Sequence, residues 1–302
     1  MKKWNSEKVL AVLFALVFVV SACRKETIQP VKPVETRQVT DDLGRNVTLP
    51  AKITRAVSLA PNLTENIFAV GAGDRLVGVT TFCNYPEEAK AIAKVGDTMS
   101  PNMETIIGLR PDIVFVSTAS QIETFTRTLA DNGIAVFVTN PDSLDSVIRN
   151  LKQLGEIFET SDTADKLASD LQKRIETAAA GNRGQTPVRV FVQISREPLF
   201  TIGKQSFVTA IVEKAGGVSV TANVETAYPK LSKETASALG PDVIILSDSE
   251  DNREPNEVFK NSPAVKNGRV FKINADLLSR PGPRLIDALE QIARDLHPEK
   301  FR

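Results

Sequence analysis

One histidine (His297), two cysteines (Cys23 and Cys83), two tyrosines and one tryptophan are few for a chain of 302 residues. With so few ligands of the right kind, most zinc sites, histidine-based triads and disulfide frameworks are excluded. Charge of either sign is not in excess, because 37 Lys and Arg balance 37 Asp and Glu. Without a basic surplus, the phosphate backbone of a nucleic acid is a poor partner. No phosphate loop, HExxH or GxSxG sequence occurs. Gly71-Ala72-Gly73 has no third glycine and follows a helical stretch, so it reads as a helix end with a turn, not a dinucleotide loop. Asp41-Asp42 reads as a turn pair, Cys83 as a buried or lining thiol, and His297, beside Pro298, as a solvated surface histidine. Ser195 follows a strand but has no general base. The inventory points to binding and not to catalysis.

One long apolar run does occur, at residues 9–20 (VLAVLFALVFVV) behind the basic start MKKWNSEK. It falls short of the ~18 residues that span a bilayer and reads as the core of a signal peptide. Val20-Ser21-Ala22-Cys23 follows and resembles the lipobox of bacterial lipoproteins, which implies a leader over 1–22 and a lipid on Cys23. Cleavage would remove Lys2, Lys3, Lys8 and Glu7, turning the balanced chain slightly acidic. Residues 23–37, with Pro30 and Pro33 and no apolar period, read as a flexible tether.

The rest of the chain repeats itself. ETIIGLRPDIV at 104–114 and ETASALGPDVI at 234–244 keep Glu, Thr, Leu, Pro and Asp in place at an offset of 130. Each is a helical pattern stopped before proline, then a β-branched run (IVFVS, VIILS) suited to a parallel strand buried on both faces. Further on, Asn132-Gly133 and Asn267-Gly268 each precede a strand and then a helix. The pattern predicts an α/β fold of two parallel-sheet lobes, each a three-layer α/β/α unit, over 38–160 and 182–302. Between them, Leu167, Leu171 and Ile175 recur every four residues, predicting one long amphipathic helix over 161–181, capped by Ser161 or Asp162 and ended by Gly181. Before the first lobe, VTDDLGRNVTL alternates around Gly44 and reads as a hairpin.

Taken as a set, DDLGRNVTLP, AVSLAPNLTENIFAVGAGDRLVGVT, NYPEEAKAIAKVG, LRPDIVFVS, LFTIGKQSFVTAIVEKAGG and LLSRPGPRLIDALEQIA resemble the substrate-binding proteins of bacterial ABC importers. The branch resembled handles vitamin B12, iron–siderophores and haem, and the likeness covers residues 38–297. It implies a lipid-anchored, exported, non-enzymatic protein with no cofactor of its own. Such a protein would sit in the periplasm or on the outer face of the cell membrane and deliver its ligand to the transmembrane dimer of a permease. VGVTTFCNYPEEAKAIAKVG is most similar to the members that bind vitamin B12, implying a cobalt corrinoid in the cleft between lobes. From the resemblance, Phe82 and Tyr228 would contact the corrin from opposite lobes, and Asp276 and Arg280 would make polar contacts. Thr98 and Ser117 stand where those members carry tryptophan.

Other ligands call for other residues. Haem would need Tyr85, Tyr228 or His297 on its iron, and a ferric siderophore would look to Arg196 and Arg280. Ordinary packing is the alternative for Phe82 and Tyr228, and an ion pair with Asp276 the alternative for Arg280. A hydrolase acting through Ser195, or a lipid-anchored scaffold for a protein partner, are the readings from other classes. The resemblance also implies that Glu104 and Glu234, at matching places in the repeats, dock onto arginines of the permease. Placed near helix starts at Ser100-Pro101 and Ser232, they would equally suit the helix dipole alone.

Overall fold

The structure is a computed structural model that describes residues 35–118, 122–181 and 184–301. The stretches read as signal peptide and lipobox, with Cys23, and most of the stretch read as tether lie outside the described residues. The first strand, β1 (Thr36–Thr40), begins inside the stretch read as tether, because Arg37 donates to the Glu156 and Ile157 carbonyls further along the chain. It pairs antiparallel with β2 (Asn46–Pro50), forming the expected hairpin. Asp41 is buried at its turn, accepting from the Leu43 and Arg45 amides and pairing with the Arg45 guanidinium at 2.6 Å.

The N-terminal lobe runs β3 (Ala56–Ser58), α1 (Pro61–Ala69), β4 (Leu76–Val79), α2 (Met103–Gly108), β5 (Ile113–Ser117), α3 (Ile122–Asp131), β6 (Ala135–Thr139) and α4 (Leu144–Phe158). Its sheet is parallel, in the order β4-β3-β5-β6. Then α5 (Ser161–Ala180) crosses to the C-terminal lobe. There β7 (Val188–Ser195), β8 (Phe200–Thr201), α6 (Phe207–Lys214), β9 (Gly217–Ser219), α7 (Lys233–Ser237), β10 (Val243–Asp248), α8 (Pro263–Lys266), β11 (Val270–Asn274), α9 (Ala275–Ser279) and α10 (Leu285–Leu296) follow. The parallel strands lie in the order β11-β10-β7-β9, and the short antiparallel β8 also pairs with β7. Numbered within each lobe, the parallel order is 2-1-3-4 both times.

The β-branched runs become strands because both faces are covered. In β5, Val114 and Val116 pack in a cluster with Leu129 and Val138, while Ile113 and Phe115 face a second core. That second core continues through α5 (Leu171, Ile175, Ala178) to β7, β10 and α10, so one apolar mass serves both lobes. Removing such a buried phenylalanine costs about 3–5 kcal/mol.

The connecting helix is bonded to both lobes. Near its start Ala164 packs on Gly155 of α4, where an added Cβ would meet the alanine Cβ at 2.4 Å. Near its end Arg174 pairs with Glu290 (2.7 Å) and Asp287 (2.6 Å) of α10. These carboxylates hold the arginine above its ordinary pKa, and the same hydrogen bond holds Glu290 below its own. Neither Ser161 nor Asp162 caps the start. The capping position is Thr160, without a side-chain bond, because α4 runs on to Phe158 and Glu159 after it is left-handed. Gly71-Ala72-Gly73 closes α1, its first two amides donating to the Phe68 and Ile67 carbonyls.

Candidate functional site

Open parallel sheets present their ligands at the carboxyl ends of the strands. Here those ends, from both lobes, face one cleft of about 670 Å³. Ser117 ends β5, Asn140 follows β6, Ile194 lies in β7 and Ser247 near the end of β10. Ala60, Pro61 and Asn62 come from the start of α1, and Tyr228, Phe207 and Gln205 from the C-terminal lobe. Thr118 donates to the Asn140 side chain at 2.6 Å, and Asp42 accepts from the Asn140 amide at 2.6 Å, fixing that wall to the hairpin.

The cleft wall is short of charge. Among its described residues Asp142 is the one acidic or basic side chain; the rest are hydroxyls, amides and apolar groups. Tyr228 lies on the wall with its ring partly open. Burial raises its pKa more than its hydrogen bond to Ser206 lowers it, so the hydroxyl stays protonated at neutral pH. Phe82 is not on the wall; it is 59% exposed in the turn after β4. Thr98 and Ser117 both line the cleft.

Arg280 lies elsewhere than the expected ligand contact. It is buried, its Nη1 donating to Glu65 Oε1 and Asn84 Oδ1 at 2.7 Å each and its Nη2 pairing with Asp276 at 2.8 Å. Asp276, at the start of α9, is half-buried and held by this pair. Arg284 joins the cluster through two bonds to Glu65, 2.8 Å from Nε and 2.6 Å from Nη2, and lies 3.9 Å over the Tyr85 ring. Burial opposes the Arg284 cation, but the bonds and charge of Glu65 outweigh it and hold its pKa up.

The clasp joins the lobes, since Glu65 belongs to α1 and both arginines to the segment before α10. Asn66 extends it to the Pro281 carbonyl, and Gly282 comes so close that a Cβ there would meet Asn66 Oδ1 at 2.4 Å. Glu65, Asn84 and Arg284 were not singled out in the sequence. The available signal is NLTENIF, where Asn62, Thr64, Glu65 and Asn66 crowd one helix; all four are buried, and buried polar groups need partners.

The remaining candidates are apart from the cleft. His297 is buried and not solvated: it ends α10 with Nε2 3.3 Å from the Gly216 carbonyl, because the last helix folds back on the C-terminal lobe. Cys83 is buried with its sulfur 3.1 Å from the Thr64 and Thr80 hydroxyls. Glu104 and Glu234 are exposed in the first turns of α2 and α7. Those helices are capped by Asn102 (not by Ser100) and by Ser232, again 130 residues apart. The backbone amide of Glu234 and the Ser232 hydroxyl hold the Glu234 carboxyl below its ordinary pKa.

A family model described as periplasmic binding protein matches residues 57–277. An uncharacterised ABC transporter substrate-binding lipoprotein of Bacillus subtilis is 32% identical over 273 residues, covering 87% of this chain and 86% of its own. A vitamin B12-binding protein of Vibrio cholerae is 30% identical over 245 residues, 80% of this chain and 89% of that one. The crystal structure of the periplasmic vitamin B12-binding protein of Vibrio cholerae superposes with a TM-score of 0.72 at 28% identity, covering 83% of this chain and 99% of that one.

Proposed function

The chain belongs to the periplasmic binding protein family, and from that premise we propose that it captures a corrinoid in the cleft between its lobes. It is the substrate-binding component of an ABC importer, a transport protein and not an enzyme. The observation that carries the corrinoid reading is a wall that holds no cation and a single carboxylate, Asp142. A corrin is a broad apolar macrocycle fringed with amides. Tyr228 and Phe207 offer ring faces, while Asn62, Asn140, Gln205, Ser247 and Ser279 offer amides and hydroxyls. Haem carboxylates or an anionic siderophore would call for cations, and the nearby Arg280 and Arg284 are bonded to Glu65. Phe82, exposed beyond the wall, and Asp276 are the rim contacts in this reading; Arg280 is not.

Titration calorimetry with cobalamin, haem and a ferric catecholate tests it. Tight, saturable binding of cobalamin is expected. No heat with cobalamin beside tight binding of haem or the chelate would replace the ligand.

Delivery in this reading uses Glu104 and Glu234, one exposed carboxylate per lobe facing a two-fold permease. The double reversal Glu104→Arg/Glu234→Arg should leave ligand affinity near wild type and abolish uptake. Undiminished uptake would leave both as helix-start residues only. The protein is held at the membrane by a lipid on Cys23, so Cys23→Ser should release it or leave it uncleaved. Mass spectrometry finding an unmodified Cys23 in the exported protein would remove the anchor.

A further inference from the structure

We infer that Glu65 is a specificity-determining residue, which withholds two guanidinium groups from the ligand cleft and so makes it select uncharged, amide-bearing ligands over carboxylate-bearing ones of the same shape. The inference rests on the corrinoid reading above and adds the source of its charge preference.

The cluster lies directly behind the cleft wall. Leu278, Ser279 and Pro281 line the cleft, while Arg280, between them, turns to Glu65. On α1, Pro61 and Asn62 line the cleft, and Glu65 stands one helical turn further on. The Glu65 side chain is 3% exposed, against 10% for Arg280 and 22% for Arg284. Each carboxylate oxygen is bonded, and both arginines are held in fixed geometry. With Asp276 the group is electrically neutral: two cations and two carboxylates. Remove the Glu65 charge and one positive charge is left unneutralised a residue away from the wall, in a site of low dielectric. Arginine forks are well suited to carboxylates, so an anionic ligand in the cleft would then become their partner. In the native protein that partner is internal.

Two probes separate charge from shape: dicyanocobinamide, whose corrin carries amides, and dicyanocobyrinic acid, whose corrin carries carboxylates. The wild-type protein should bind the amide form and reject the acid. In Glu65→Gln, which keeps size and one acceptor, the preference for the amide form should narrow by about tenfold or more. Glu65→Asp, which keeps the charge but shortens its reach, should narrow it less and serves if the glutamine variant does not fold. The triple variant Glu65→Leu/Arg280→Met/Arg284→Leu removes carboxylate and cations together while keeping apolar volume, and should reject the acid as the wild type does.

An unchanged preference in the folded Glu65 variants overturns the inference. So does equal narrowing in the triple variant, which would assign the effect to a widened cleft instead of to freed guanidiniums. Failure of both probes to bind the wild type would instead remove the corrinoid reading itself.

Discussion

The two lobes share their strand order and much finer detail. In each, an arginine at the start of the first strand, Arg55 just before β3 and Arg189 second in β7, donates to the carbonyl of a leucine that follows a short helix. Arg55 bonds Leu109 at 2.7 Å in one lobe, and Arg189 bonds Leu239 at 2.7 Å in the other. The next residue is left-handed in both, Arg110 at φ 48° and Gly240 at φ 53°, which breaks the helix ahead of Pro111 and Pro241. Where the lobes meet, the likeness stops. The N-terminal lobe presents a helix with a buried carboxylate, and the C-terminal lobe answers with two arginines. Repetition therefore survives at the outer turns, where each lobe needs the same chain reversal. It is lost at the shared face, where self-complementary copies would bring like charges together.

Breaking the asymmetric contact should have the largest effect. Glu65→Ala leaves the buried Arg280 and the partly buried Arg284 short of their partner and should cost about 3–5 kcal/mol in chemical denaturation. A loss under about 1 kcal/mol would mean the clasp is solvated and the lobes are joined mainly by α5. The ligand-facing difference comes next. Tyr228→Ala should weaken corrinoid binding by about 2 kcal/mol, some tens of fold, and Phe82→Ala, off the wall, by less. The reverse ranking in calorimetry would move the ligand toward the N-terminal rim.

A smaller effect sharpens the likeness. Arg55→Ala, which loses two bonds to one carbonyl, and Arg189→Ala, which loses one, should each cost about 1 kcal/mol. Costs differing severalfold would limit the symmetry to backbone shape. The smallest concerns pH. Arg174 lowers the Glu290 pKa, so the folded state binds this proton more weakly than the unfolded chain does. That contribution is complete above the ordinary value of 4.5 and fades as pH falls through the lower folded value. Glu290→Gln should flatten the acid limb of the stability curve slightly, since both groups are partly solvated. An unaltered limb would show that the pair contributes nothing.

Much of the architecture was legible. The offset of 130 between ETIIGLRPDIV and ETASALGPDVI foretold two like sheets, because local hydrophobic period and proline stops act within a few residues. The bridging helix followed from Leu167, Leu171 and Ile175 for the same reason. Its cap did not, since Thr160 is at the capping position only because α4 runs on to Phe158. At the candidate site the sequence named Tyr228 on the cleft wall, but it also offered Arg280 as a ligand contact and His297 as a surface group. Their surroundings come from far along the chain: Glu65 lies 215 residues from Arg280, and Gly216 lies 81 from His297.

By itself, then, the amino-acid sequence determined what depends on neighbours in the chain: the strands and helices, their repetition and the hairpin. Tertiary structure alone decided where the charges go. A carboxylate and a guanidinium attract over short distances and lose hydration on burial, so which cations face a ligand and which are neutralised inside depends on the packing of α1 against the segment before α10.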